Sequence, residues 1–305
     1  MRNRDVLTAA MLALAAFAPR ARAQRAVPGT DVWIVPMKQV GVAVSFGVPR
    51  NVTARPGYDN QPSFTPKGDA VLYTMRDEKG KTQTWRFSLP DGKPAAVTDS
   101  PMDLYSPTVM PDGRNFSVIA VEADSTQRLW KFPLDGKGAP SPVLESVKPV
   151  GYHVWADDHT VVVYVLGRGR GPTATPSTLQ VADDRTGKAE VVATNVGTAL
   201  GKVPGRFAIT FQQLVKDSLP WITDLDLKTK AVRPMVQAPK GANYHAWTPN
   251  GALLTAVGSG IFRYTDEGWV PVANFEKYGA KNITRLAVSP RGNWLAFVAE
   301  DQPAP

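Results

Sequence analysis

Three histidines are the side chains here whose ordinary pKa lies close to neutrality, and two of them have matching surroundings: Tyr152-His153-Val154-Trp155 and Tyr244-His245-Ala246-Trp247. Two imidazoles could share a divalent metal, but a catalytic metal site needs at least one further protein ligand. The nearest carboxylate by register is Asp59, with Asp103 behind it, and neither recurs beside the histidines. The third histidine, His159, belongs to a turn. There is no cysteine to serve as nucleophile or thiolate ligand. A Gly-x-Ser-x-Gly elbow, a phosphate-cradling Gly-rich loop and a His-Glu-x-x-His pair are all missing from the sequence. The matched Tyr-His segments therefore point first to recognition. Metal chemistry on His153 and His245 remains the alternative.

The elements that would position these residues follow from a repeat. Six times, a short apolar approach ends in a Pro/Asp/Gly turn and an apolar run follows at once. The turns are marked by Pro66, Pro111, Asp157, Pro204, Pro249 and Pro290. Proline presets the first corner of a tight turn, Asp or Asn caps it, and Gly accepts the positive φ that reverses the chain. Each copy thus reads as a hairpin between strands a and b of a four-stranded unit. A third strand follows, with Trp85 and Trp130 at equal distances from their prolines. A weaker fourth strand follows in turn, as in 95–98 and 191–193. A period of this size is that of one propeller blade. The fold expected is all-β: a six-bladed β-propeller with four antiparallel strands per blade.

After the sixth turn only two strands remain before Pro305, so the last blade must borrow strands from the other end. Thr30-Asp31-Val32-Trp33-Ile34-Val35 has the character of strand c, and either 42–46 or 50–53 can supply strand d. Closure removes the open sheet edges that promote association, and a monomer is expected. In a propeller, residues entering strand a lie near the mouth of the central channel. Those slots hold Asn60-Gln61-Pro62, Tyr105-Ser106-Pro107, Tyr152-His153, Tyr244-His245 and Thr284-Arg285-Leu286. The expected rim is Asn60, Gln61, Tyr105 and Ser106 from the first two blades, with Tyr152, His153, Tyr244, His245 and Arg285 from later ones. Such a rim is polar and aromatic. Tyrosine and arginine are favoured anchors in interfaces, so the rim reads as a surface for a peptide or protein, while the same side chains could also simply fill the taper between blades.

Residues 1–23 read as a secretory signal peptide ahead of one propeller domain over 24–305. Arg2 and Arg4 precede an apolar stretch from Val6 to Ala18, and Ala21-Arg22-Ala23 offers a small-x-small cleavage site. The stretch is shorter than the ~20 residues of a membrane span. Without cysteine there is no disulfide, which favours a bacterial periplasm or secretion from a bacterium over a eukaryotic secreted module. The leader holds four of the 35 basic and one of the 27 acidic residues, so the remainder carries 31 and 26, a net of +5. That excess is dispersed. Its densest feature, Arg168-Gly169-Arg170-Gly171, lacks interleaved aromatics and does not suggest nucleic-acid binding.

Phe64-Thr65-Pro66-Lys67-Gly68, Met110-Pro111-Asp112-Gly113, Thr248-Pro249-Asn250-Gly251 and Ser289-Pro290-Arg291-Gly292 resemble the Ser-Pro-Asp-Gly signature of WD40-like (PD40) repeats in TolB-like six-bladed propellers. The resemblance spans about residues 30–300. It implies a periplasmic, non-catalytic scaffold that docks an envelope protein or peptide at the channel mouth, needs no cofactor, and here lacks the α/β domain that precedes the propeller in TolB. Similar propellers occur in prolyl oligopeptidase-like peptidases, whose chemistry resides in a separate hydrolase domain not expected in a chain ending at Pro305. They occur also in oligogalacturonate lyase, where the resemblance implies several histidines and a glutamine around a metal. His153, His245 and Gln61 match that set in part. A metal-dependent carbohydrate lyase or lactonase-type enzyme is accordingly the alternative function.

Overall fold

The computed structural model describes residues 29–169 and 173–301. The expected leader lies outside the described residues, as does part of the Arg168–Gly171 feature. The described chain opens with β1 (Thr30–Val40), β2 (Ala43–Phe46) and β3 (Arg50–Asn51). Blade one follows as β4 (Asp59–Phe64), β5 (Ala70–Arg76), β6 (Thr82–Ser88) and β7 (Pro94–Ala96). Blade two is β8 (Asp103–Val109), β9 (Asn115–Val121), β10 (Gln127–Pro133) and β11 (Ser141–Pro142). Blade three is β12 (Val150–Trp155), β13 (Thr160–Val165), β14 (Thr178–Asp183) and β15 (Ala189–Thr194). Blade four is β16 (Val196–Lys202), β17 (Ala208–Gln213), β18 (Trp221–Asp226) and β19 (Val232–Gln237). Blade five is β20 (His245–Trp247), β21 (Leu253–Val257), β22 (Gly260–Thr265) and β23 (Gly268–Asn274), and β24 (Leu286–Val288) and β25 (Trp294–Glu300) belong to the sixth. Each blade is an antiparallel sheet, and no α-helix occurs among the described residues. No described helix is long and apolar enough to cross a membrane.

The repeated turns form as their residue types dictate. In blade two, Gly113 at φ +64° donates its N–H to the Met110 carbonyl at 3.0 Å, while Asp112 Oδ1 accepts from the backbone of Arg114 and Asn115, each at 2.9 Å. Asp157 replaces proline in blade three and caps the turn through His159 N and Thr160 N. His159 sits on this turn, at the opposite end of strand a from the channel slots, beside Asp184 at 3.0 Å.

The ring closes as an antiparallel ladder between the two ends of the chain, from Thr30↔Glu300 to Pro36↔Trp294. Both proposed strand d segments are used. The far half of β1 pairs β2, from Met37↔Phe46 to Val40↔Ala43, and its middle pairs β3 at Trp33↔Asn51 and Ile34↔Arg50. Val32, Ile34 and Val35 are almost wholly buried, and burial of each such side chain stabilises by about 1.5–3 kcal/mol.

The core is divided into six clusters, each straddling one blade interface. Leu72 of blade one meets Leu104 and Phe116 of blade two, and Ile119 and Leu129 meet Val161 and Val163 of blade three. Similar clusters join blades three to four, four to five, five to six and six to one. Seven of the eight tryptophans belong to them, which makes indole packing between blades their common role. Between blades five and six Trp33 stacks on Phe297, which stacks on Phe275.

Polar groups complete the closure. Asp31 accepts from Asn51 Nδ2 at 2.8 Å and Thr53 Oγ1 at 2.9 Å. Asp59 Oδ1 accepts from Arg55 Nη2 at 2.8 Å, whereas its fully buried Oδ2 has no partner. Burial, only partly opposed by Arg55, pushes the Asp59 carboxyl up to about 6. The folded pKa thus exceeds the unfolded one, so the stability from this group is complete at low pH and is lost as pH rises through about 6. Asp59→Asn keeps an acceptor for Arg55 and cannot ionise. Relative to the native chain, the variant should gain roughly 2–3 kcal/mol between about pH 4 and pH 7.5, read by urea unfolding. An unchanged difference at the two pH values would mean that Asp59 titrates normally.

Candidate functional site

The innermost strands of all six blades bring their first residues to one end of the central channel, around a cavity of about 140 Å³. Of the residues expected there, Gln61, Ser106, Tyr152, His153, Tyr244, His245 and Arg285 line it. Asn60 and Tyr105 do not. Asn60 donates to Thr30 Oγ1 at 3.1 Å and accepts from Gln61 N at 2.8 Å. Tyr105 packs edge-on against Tyr58, with ring centroids 6.4 Å apart. Thr198 of blade four was not foreseen as a lining residue, and its Oγ1 donates to Tyr244 Oη at 3.1 Å. Asp59 and Asp103 both lie away from the lining, and Asp103 accepts from Thr82 N at 2.9 Å.

Arg285 is the centre of the mouth. Its guanidinium carbon lies 4.3 Å from the Tyr244 ring centroid and 5.0 Å from that of Tyr152, and Nη2 donates to Tyr152 Oη at 2.8 Å. The three residues belong to blades six, five and three, so the contact bridges the channel. Among the described residues no carboxylate pairs with Arg285, and its titratable neighbours are tyrosines. No Asp, Glu or Lys lines the cavity.

The tyrosines respond unequally to this cation. Burial alone would raise the Tyr152 phenol, but the charge and hydrogen bond of Arg285, with hydrogen bonds from Tyr244 and Gln61, bring it below its ordinary value. Burial pushes Tyr244 up to about 12 despite Arg285, and burial also raises Tyr58.

The two histidines are held by identical devices. Trp155 donates Nε1–H to Ser117 Oγ at 3.0 Å, and His153 Nε2 lies 2.7 Å from the same oxygen. Trp247 donates to Thr210 Oγ1 at 2.9 Å, with His245 Nε2 also at 2.9 Å. In each case the hydroxyl comes from strand b of the preceding blade, Ser117 on β9 and Thr210 on β17. The indole can only donate, so the hydroxyl has one proton to place. Its other acceptor is a backbone carbonyl at 3.3 Å, Thr108 or Gly201. Donation to Nε2 would place the imidazole proton on Nδ1, whereas donation to the carbonyl lets the hydroxyl accept from both the indole and Nε2–H, so either tautomer satisfies the hydroxyl. Gly201 leaves room for the His245 contact, since a Cβ there would stand 3.2–3.3 Å from Thr210 and His245. Neither Nδ1 has a protein partner. Burial depresses His153 to about 3 and His245 to about 4, so both rings are neutral at physiological pH.

Blades one and two approach the channel differently. Gln61 and Ser106 adopt φ of +58° and +53° at register shifts of β4 and β8, each just before a proline. Left-handed backbone is strained for such residues. Gln61 Oε1 holds both bulges together, accepting from Ser106 N and Thr74 Oγ1, each at 2.8 Å. Ser106 Oγ is buried without a partner. The mouth thus presents one cation, neutral imidazoles and phenols, and no anion, an arrangement whose field favours negative charge.

Replacing Arg285 with Gln should reverse the Tyr152 shift. In the native chain Tyr152 ionises below the ordinary tyrosine range and below Tyr244. In Arg285→Gln, burial is unopposed and Tyr152 should move above that range. Site-resolved NMR titration of the tyrosines measures this, and an unchanged Tyr152 would show that Arg285 does not control it.

No family model matches the chain, and no curated protein matches its sequence. Solved structures match its fold. The structure assigned to TolB of Agrobacterium tumefaciens is 14% identical, with a TM-score of 0.64 over 91% of this chain and 100% of that one. A gluconolactonase from Xanthomonas campestris is 12% identical, at 0.61 over 91% and 99%. An oligogalacturonate lyase in complex with manganese is 15% identical, at 0.57 over 83% and 80%. At such identities the likeness is one of fold: the chain is a TolB-like six-bladed propeller in architecture, a scaffold shared by proteins with different activities.

Proposed function

We propose that this protein is an exported, periplasmic or secreted propeller that binds a segment of an envelope protein or peptide at the channel mouth and performs no catalysis. The observation that supports this reading is the Arg285–Tyr152–Tyr244 contact. Three blades contribute an arginine and two tyrosines to one partly exposed, concave spot, and these residue types anchor binding interfaces. The cavity admits a single side-chain-sized group, so the partner presents a loop or a terminus rather than a flat face.

A photoreactive amino acid at Tyr105, beside the mouth, should give one dominant adduct of defined mass in the producing cell. The same group at Lys67, on a turn at the opposite end of strand a, should not give it. Adding Tyr152→Ala should reduce the adduct by about tenfold, as loss of an anchor of more than about 1 kcal/mol would do. Equal labelling from both positions would reject the mouth as the docking face.

One observation favours an enzyme acting on a sugar or lactone through a divalent metal: His153 and His245 line the same channel. The donor set does not fit a metal. Both Nε2 atoms are taken by hydroxyls, and among the described residues no three His, Cys, Asp or Glu side chains come together. Elemental analysis of the purified protein after exposure to manganese should find no stoichiometric metal that depends on these histidines. Metal bound one to one, and lost in the double variant His153→Gln/His245→Gln, would overturn the scaffold reading.

A further inference from the structure

The charge at the channel mouth is incomplete. A guanidinium removed from bulk water is expensive unless an anion or several hydrogen bonds compensate it. Arg285 has one hydrogen bond, to Tyr152, and two aromatic faces. Those faces hold its plane but leave its net charge in place. The other arginines with ion pairs show what the fold does elsewhere: Arg206 is forked on Asp224 at 2.9 Å, and Arg128 meets Glu122 at 2.8 Å. At the mouth no acidic side chain takes that role.

Further unpartnered polar groups surround the same space. Nδ1 of both His153 and His245 is buried without a partner, on rings that are themselves more than nine-tenths buried. Ser106 Oγ is a third buried group without one. Nothing in the lining carries negative charge. A cationic ligand would face Arg285 directly, and a purely apolar one would leave its charge and these polar groups unmatched.

We propose that the group received at the channel mouth is a carboxylate carried by an acidic side chain of the partner segment, paired with Arg285 while Tyr152 and Tyr244 hold the guanidinium in place. The inference rests on the peptide-binding reading above and adds the chemical class of its ligand. Arginine suits this role because its planar fork meets the two carboxylate oxygens together. A lysine would supply the charge without the fork.

The test uses the full purified chain and two blocked peptides that differ in one residue, acetyl-Gly-Ser-Glu-Ser-Gly-amide and its Gln counterpart, with sodium acetate as a free carboxylate. Calorimetric titration should show the Glu peptide binding roughly 10- to 100-fold more tightly than the Gln peptide, the range expected for a charge-assisted hydrogen bond. Arg285→Gln should abolish the difference, Arg285→Lys should retain part of it, and added salt should weaken the Glu peptide selectively. Saturation should also move Tyr152 ionisation upward, because the bound carboxylate offsets the cation that depresses it. Equal affinity for the two peptides, no binding of either, or an unchanged preference in a folded Arg285→Gln would overturn the proposal. Acetate occupying the site as tightly as the Glu peptide would overturn the peptide as the source of the carboxylate. The two readings fail separately: an adduct from Tyr105 that survives Arg285→Gln removes the carboxylate and keeps the partner, whereas Glu-selective binding without any adduct keeps the carboxylate and removes the protein partner.

Discussion

The ladder between the two ends of the chain is the contact on which the channel depends. Strand β1 contributes Thr30 to Pro36 and β25 answers with Glu300 to Trp294, so blade six exists only when the first and last described strands meet. Arg285 lies just before the inner strand of that blade. Its hydrogen bond to Tyr152 spans 133 positions of sequence, and no local structure could create it. Ring closure turns six separate slots into one site. The same step buries Val32, Ile34 and Val35 and completes the clusters against blades one and five. Stability and site geometry therefore rise from one set of contacts.

Much of this architecture was legible because turn chemistry is local. Proline, Asp and Gly at a tight turn need no distant partner to declare themselves, and six such turns at nearly constant spacing specify blades. The choice between 42–46 and 50–53 as strand d could not be made from sequence because both are used. At 11 residues β1 is long enough to pair β2 along one part and β3 along another. The site was less legible. Register located Gln61, Ser106, Tyr152, His153, Tyr244, His245 and Arg285, since all sit four or five residues before their turn markers. It failed at particular residues where the backbone departs from register. The irregularity between Val196 and Leu200 brings Thr198 to the lining, and blade four offered no aromatic residue to draw notice. Asn60 was misplaced for a related reason, because the bulge it begins turns its amide toward Thr30.

The polar groups of the channel follow two strategies that the sequence does not separate. At the histidines, every bond serves to hold a neutral ring: a hydroxyl from the neighbouring blade accepts from the indole N–H and shares a hydrogen bond with Nε2. At Arg285, the neighbours hold orientation but leave charge unmatched. A depressed imidazole pKa and an uncompensated guanidinium are both consequences of burial, yet they differ in meaning. The histidine has shed its charge and fits its surroundings, whereas arginine cannot shed a proton in this range and must find its anion outside the protein.

Comparison among blades supports that division. Six positions after each turn marker the chain carries Leu72, Ser117, Val163, Thr210, Thr255 and Ala296. Ser117 and Thr210 precede the two blades that contain Tyr-His-x-Trp, and each bonds the histidine and tryptophan of the blade after it. Thr255 precedes blade six, where Leu286 occupies the histidine slot, and with no imidazole to meet it donates to the Tyr244 carbonyl at 2.7 Å, shorter than the 3.3 Å of the equivalent Ser117 and Thr210 contacts. The hydroxyl thus has an acceptor in every case, but the imidazole is present only where an indole two residues later completes the set. His153 and His245 are explained by their own scaffold. Arg285 is not, and that asymmetry makes the arginine, rather than the more conspicuous histidines, the residue on which the proposed ligand preference rests.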